Sequence, residues 1–248
     1  MEREELFARL RDLHGRARKT GQAAYSGFLT PAEQAWAAAD CRAAGLDGMY
    51  LWGGREDSER RMAFFFPEWM DCEGYDFPEV SGVRITVRFG APSHRDVMGS
   101  ILGLGIERRA VGDITVEGEE AWLPALATVA PFIVQNLERV GRFGAKAVLT
   151  GWADIPRQEK QARPVRFTVQ SMRLDAVAAG LFSLSRAAAA SAIQGGKASL
   201  NHLECQRADA RVGEGDVISL RGEGKGRVIS CGGTTRKGRI SVEGERYI

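Results

Sequence analysis

The stretch that decides the fold runs from Arg173 to Asn201, RLDAVAAGLFSLSRAAAASAIQGGKASLN. Leu174, Val177, Ala178 and Leu181 recur at i, i+3, i+4 and i+7, which draws one apolar helical face. Gly180 is expected to close this first helix and Ser183 or Ser185 to cap a second, which runs on alanines to Gln194. Alanine has high helix propensity and lets neighbours approach closely, as a tight helix pair requires. Gly195 and Gly196 then turn the chain into a short strand, KASLN. Arg173 and Arg186 fall at or near the two helix starts, where unpaired N–H groups and the helix dipole favour phosphate. Arginine adds planar, bidentate donors for phosphate oxygens. Lys197 follows the glycine corner with no bulky neighbour to block approach. Nothing in the stretch forms a base-stacking platform, so folded RNA read by shape is the expected target.

Charge supports a distinct basic module at this end. Residues 163–248 carry 14 Lys and Arg against 8 Asp and Glu, net +6, while residues 1–162 carry 20 against 24, net −4; the whole chain is only +2. Such asymmetry suits phosphates in the last third. ADARV, DVISLRGEG, GRVISC and RISVEG read as strands of a small sheet, with TTRKGR as a basic turn.

The 248 residues, 44% hydrophobic and 27% charged, suffice for two or three small domains. No apolar run reaches the roughly 20 residues of a membrane span. The charged start, MEREELFARLRDLHGRARK, has no signal-peptide core, so a cytoplasmic protein with no membrane partner is expected. Cys41, Cys72, Cys205 and Cys231 are scattered without a C-x-x-C pair, which argues for reduced thiols, no metal site and no cofactor.

Upstream, residues 2–19 read as a helix with Leu6, Leu10 and Leu13 on one stripe and Gly21 as its stop. Its basic tail, RARKTG, suits a helix C-terminus as well as a phosphate contact. Thr30, Pro31 and Glu33 form a capping box that opens a second helix ending at Gly45. MYLWGG and RMAFFFPEW are strands, with Phe64 to Phe66 as core, and DCEGYDFPEVSG is a linker. VRITVRF is a half-buried strand, and Ser93 with Asp96 opens a helix that ends at Gly103 and Gly105 before another strand. AWLPALA is a strand or loop edge broken by Pro124, APFIVQNLERVG a helix and AKAVLTGW a closing strand. Strand–helix–strand–strand–helix–strand is the split βαβ, ferredoxin-like order, shared with the RRM fold, but the K/R-G-F/Y-G/A-F-V-x-F/Y strand of RNA-binding RRMs is missing. The Gly103–Gly105 pair ends a helix and so is no dinucleotide loop. His94 has no Ser, Cys or second His near it in sequence and reads as a first-turn helix residue, not a general base. IPRQEKQARPV is a polar connector.

The C-terminal stretch resembles the RNA-binding domain named after small-subunit ribosomal protein S-four. The matching residues are Arg173, Leu174 and Asp175; Gly180 and Leu181; Ser185 and Arg186; Ala189 and Ile193; Gly196 and Lys197; Asn201; Gly215 and Asp216; and Arg221 to Lys225. Ala192 and Ala198 stand where larger aliphatics are usual, and His202 where glycine is common. FLTPAEQ, SHRDVMGSILGLGIERRAVGDI, RFTVQSMRLDAV and TTRKGR extend the likeness, and the chain as a whole resembles the YlmH-type proteins of bacteria. The resemblance implies an α+β chain with a small N-terminal α/β domain (1–78), an RRM-like middle domain (79–162) and an S-four domain of a helix pair plus a small antiparallel sheet (163–248). It implies a non-enzymatic factor that binds the large ribosomal subunit, ribosomal RNA and peptidyl-tRNA in quality control of stalled nascent chains, with division or quality-control proteins as further partners. The RNA-contacting set it implies, extended by nearby basic residues, is Arg173, Asp175, Ser185, Arg186, Lys197, Asn201, Arg221, Lys225, Arg227, Arg236 and Lys237.

Two other readings remain. S-four domains also deliver RNA-modifying enzymes, but the chain has no HIGH-like or KMSKS-like signature and no glycine-rich loop opening a helix. A scaffold or cell-division protein with incidental RNA binding is the third, since fold alone does not fix function.

Overall fold

A computed structural model describes residues 2–70, 72–157, 161–234 and 238–247. The chain is a mixed α+β protein that divides into two compact units, Met1–Gln158 and Glu159–Ile248.

The first unit opens with α1 (Arg3–Thr20), β1 (Ala24–Leu29), α2 (Pro31–Ala43), β2 (Met49–Trp52) and β3 (Arg61–Phe65). Leu6, Leu10, Leu13 and Ala17 bury one stripe of α1, and Gly21 ends it in the left-handed region at φ 67°. Thr30 caps α2 as expected: its hydroxyl accepts from the Glu33 N–H, and the Glu33 carboxylate accepts from the Thr30 N–H at 2.7 Å. The three strands pair antiparallel in the order β1-β3-β2. β1 escaped the sequence reading because nearly every residue of AYSGFL is buried, which erases the period-two alternation. Its register also shifts between Tyr25 and Phe28, where buried Ser26 accepts the Ala63 N–H at 2.9 Å.

The same unit continues with β4 (Val80–Val87), α3 (His94–Gly103), β5 (Thr115–Glu117), β6 (Glu120–Leu126), α4 (Ala130–Asn136), β7 (Arg139–Val140) and β8 (Phe143–Thr150). They form an antiparallel sheet in the order β5-β6-β4-β8-β7. Ser93 and Asp96 make the expected capping box on α3. Pro124 does not break β6. Glu79 and Val87 hydrogen-bond Ala127 and Glu119, so by alternation the Gly82–Pro124 pair is a non-hydrogen-bonded one. The missing N–H therefore points away from β4, to a side where β5 has already ended.

The expected linker before β4 is packed structure. Phe77 is buried and stacks on Trp52 with ring centroids 4.0 Å apart, and Trp152 meets Trp52 edge-on at 4.7 Å. This aromatic cluster joins the two sheets, so position 78/79 falls inside one compact unit.

The second unit comprises β9 (Ala162–Val169), α5 (Leu174–Phe182), α6 (Arg186–Gln194), β10 (Ala198–Leu200), β11 (Leu203–Glu204), β12 (Val217–Leu220), β13 (Gly224–Thr234) and β14 (Ile240–Tyr247). Its antiparallel sheet runs β11-β10-β12-β13-β14-β9. The expected connector is already strand from Ala162, paired with β14 along its whole length. ADARV forms no strand; Arg211 makes only an isolated bridge to Arg173.

Gly180 does not close α5. The helix continues to Phe182, and Ser183 takes the left-handed cap at φ 58°. Gly180 is instead a contact point: a Cβ there would lie 2.1 Å from the Phe167 ring on β9. Gly244 on the sheet likewise makes room for Leu181, and a Cβ at Gly226 would press on the Glu245 carbonyl. Close approach, not chain reversal, is what these glycines supply. Gly→Ala in a helix interior normally stabilises by about 0.5–1 kcal/mol. Here Gly180→Ala is expected to destabilise by about 1–3 kcal/mol through overpacking, read as a lower urea midpoint at unchanged m.

Candidate nucleic-acid interface

Three residues of the expected set converge. Asp175, in the first turn of α5, is buried, its side chain only 6% exposed. It lies between Arg173, which precedes α5, and Arg186, the first residue of α6. Arg173 donates Nε and Nη2 to the carboxylate at 3.2 and 3.1 Å, and Arg186 donates the same pair at 3.2 and 3.3 Å. One carboxylate thus orients two guanidiniums and ties the start of α6 to the start of α5, across a bend of 116° between the helices. The two arginine side chains stay about half exposed, 41% and 52%. Side-on pairing leaves each with further N–H donors. Burial pushes the Asp175 carboxyl up, but the hydrogen bonds from Arg173 and Arg186 outweigh it and hold it below its usual value.

The backbone end of α5 is not an anion site. The Leu174 and Asp175 N–H groups donate to the Ala210 and Ala208 carbonyls at 2.8 and 3.0 Å, so a loop of the same chain covers them. Any phosphate contact at Arg173 is therefore left to its side chain. Ser185 is the N-cap of α6 and accepts the Ala188 N–H at 3.1 Å.

The remaining residues fall into other places. Lys197 and Arg221 are neighbours, because the Arg221 N–H donates to the Lys197 carbonyl at 2.8 Å just beyond the Ala198–Leu220 pair. Both are exposed. Asn201 serves the fold: its amide donates to Asp216 at 2.8 Å and accepts the Val217 N–H at 2.9 Å. Asn201 and His202 both have positive φ, 50° and 68°, in the two-residue turn between β10 and β11. Such a turn favours glycine, which explains the residue usual at 202. Lys225 and Arg227 flank Gly226, which faces Leu181 of α5, so they occupy the opposite face of the sheet. Lys225 sits 5.8 Å over the Tyr247 ring. Arg236 and Lys237 lie outside the described residues.

The sequence reading overlooked Arg239. Its guanidinium donates to the Thr168 carbonyl at 2.8 Å, and with Arg186, Gly180 and Leu184 it lines a cleft of about 560 Å3 beside the helix pair. Its membership in the basic turn TTRKGR was the available signal. Among the described residues, no group of His, Cys, Asp and Glu could hold a metal ion, and no single helix is long and apolar enough to cross a membrane.

Residues 75–149 match the family model described as "Putative RNA-binding domain in YlmH". Over 222 residues the chain is 31% identical to "Ribosome-associated protein quality control protein P2" of Bacillus subtilis, covering 88% of this chain and 85% of that protein. The chain belongs to the YlmH family. Among solved structures, the cell division protein ylmH from Streptococcus pneumoniae is 20% identical, with a TM-score of 0.48, covering 62% of this chain and 94% of that one.

The clamp gives a stability prediction with a defined sign. Asp175→Asn removes the charge that both guanidiniums share and is expected to cost about 1–3 kcal/mol at neutral pH. The native carboxyl is lowered, so its contribution is present above the unfolded value of about 3.9 and lost as pH falls further. Urea titrations of both proteins should therefore differ by a constant amount near neutrality and converge below about pH 4.

Proposed function

We propose that this YlmH-family chain is a non-catalytic RNA-binding factor of the cytoplasm. It holds structured RNA on the large ribosomal subunit, both ribosomal RNA and peptidyl-tRNA, in quality control of stalled nascent chains. The observation that carries the proposal is the Arg173–Asp175–Arg186 clamp: two guanidiniums oriented by one buried carboxylate and open to solvent. Bidentate guanidiniums recognise phosphate oxygens, and a rigid pair set at a fixed spacing reads backbone shape.

The bent helix pair on an antiparallel sheet supports an S-four assignment for residues 163–248. The order β5-β6-β4-β8, with α3 and α4 as the crossing helices, supports a split βαβ, RRM-like reading of residues 79–162. Residues 1–78 then form the third module. The name of the Bacillus subtilis relative supports the quality-control role.

Co-sedimentation with purified large ribosomal subunits tests the function. Arg186→Ala combined with Lys197→Ala should weaken binding and flatten its salt dependence by about one unit of slope per lost phosphate contact. Binding unchanged in affinity and slope overturns the proposal. Modified nucleosides in tRNA and ribosomal RNA should be identical with and without the gene; a missing nucleoside would establish an enzyme instead.

A further inference from the structure

The first unit holds a second concentration of arginine, unrelated to the clamp. Arg60, just before β3, and Arg108, in the 3-10 turn Arg108–Ala110, are both half-buried. The Arg60 Nη2 donates to the Phe28 carbonyl at 2.7 Å, while its buried Nε has no hydrogen-bond partner. Arg108 donates Nη1 to the Val111 and Gly112 carbonyls at 2.6 and 3.0 Å. Burial, then the neighbouring Arg60, brings the Arg108 guanidinium down to about 10. Two partly desolvated cations that repel each other favour anions near them. Glu33 and Asp113 are the carboxylates that act on Arg60, and Asp113 is engaged by the backbone N–H groups of Glu59 and Arg60.

These arginines line a cavity of about 440 Å3, with Arg9 and Arg109 at its exposed rim. Its carboxylates are partly committed: Glu33 to the Thr30 cap and Glu107 to Arg109, leaving Glu5 on α1. Arg9, Gly27, Glu107 and Arg109 also line a second cavity of about 480 Å3, so the two adjoin. The second is apolar, walled by Ile106, Leu126, Val129 and the half-exposed Phe132. Thr128 adds a hydroxyl and Glu107 a carboxylate. Each volume is within the roughly 300–1,000 Å3 of small-ligand sites.

We propose that the adjoining cavities bind a mononucleotide group, its phosphate against Arg60, Arg108 and Arg109 and its base in the apolar half. A cationic end beside an apolar slot with a few polar groups matches a phosphate joined to a flat ring, not a phosphate alone or a hydrocarbon tail. The same chemistry is offered by a free nucleoside monophosphate and by the 5′-phosphorylated end of an RNA.

Isothermal titration of the full chain tests this. Adenosine monophosphate should bind saturably at one site, with adenosine and inorganic phosphate each weaker by about tenfold or more. Arg109→Gln, at an exposed position, should keep the thermal midpoint and weaken the nucleotide by about tenfold, and Arg108→Gln should do at least as much. Arg186→Gln should leave nucleotide binding unchanged, which separates this site from the RNA clamp. A 5′-phosphorylated oligoribonucleotide that binds more tightly than the mononucleotide, and loses affinity in Arg109→Gln, assigns the site to an RNA end; equal or weaker binding assigns it to the free nucleotide. No saturable binding of either probe, or binding that survives both substitutions, overturns the proposal.

Discussion

The second unit depends on one buried carboxylate. Asp175 accepts from two guanidiniums, one just before α5 and one at the start of α6, and its own N–H fastens the loop around Ala208 to the start of α5. The starts of both helices and the Ala208 loop thus meet at a single residue. A carboxylate this buried is unfavourable alone, and a guanidinium this close to another is unfavourable alone; each compensates the other. Because the arginines remain half exposed, the interaction serves orientation more than stability. Fixed guanidiniums lose less rotamer freedom on meeting phosphate than mobile ones, so the proposed RNA contact would meet donors that are already oriented.

The helix pair is held in place by the lack of side chains. Gly180 and Gly244 lie where a Cβ would press on Phe167 and Leu181. The approach of α5 to the sheet sets where Arg173, Asp175 and Arg186 sit, so residues with no chemistry of their own position those that have it. In the first unit the stacked Trp52 and Phe77 and the edge-on Trp152 have a comparable task, joining the two sheets.

Local rules made much of this legible in the sequence. Thr30 with Glu33 and Ser93 with Asp96 are capping boxes by spacing alone, and both form. The apolar stripe of α5 and the glycine corner before Lys197 are similarly local. What escaped is set by tertiary contacts. β1 has no alternation because almost all of it is buried. Pro124 sits inside β6 because its missing N–H faces away from β4, where β5 has already ended. Gly180 looked like a helix stop because its packing partner, Phe167, lies on another strand. In the interface, Arg173 and Arg186 were found through their types and their places at helix starts. Their shared carboxylate and the occupation of the α5 N–H groups by Ala208 and Ala210 are long-range facts that no spacing encodes.

The account is tested most directly by large-subunit affinity in Asp175→Asn, measured under conditions where circular dichroism shows the chain folded. The substitution removes a buried negative charge beneath the proposed RNA contact, and long-range electrostatics alone would strengthen binding. If the carboxylate's task is to orient Arg173 and Arg186, binding weakens despite the gain in positive charge. Unchanged or tighter binding would contradict the clamp as the RNA-binding element.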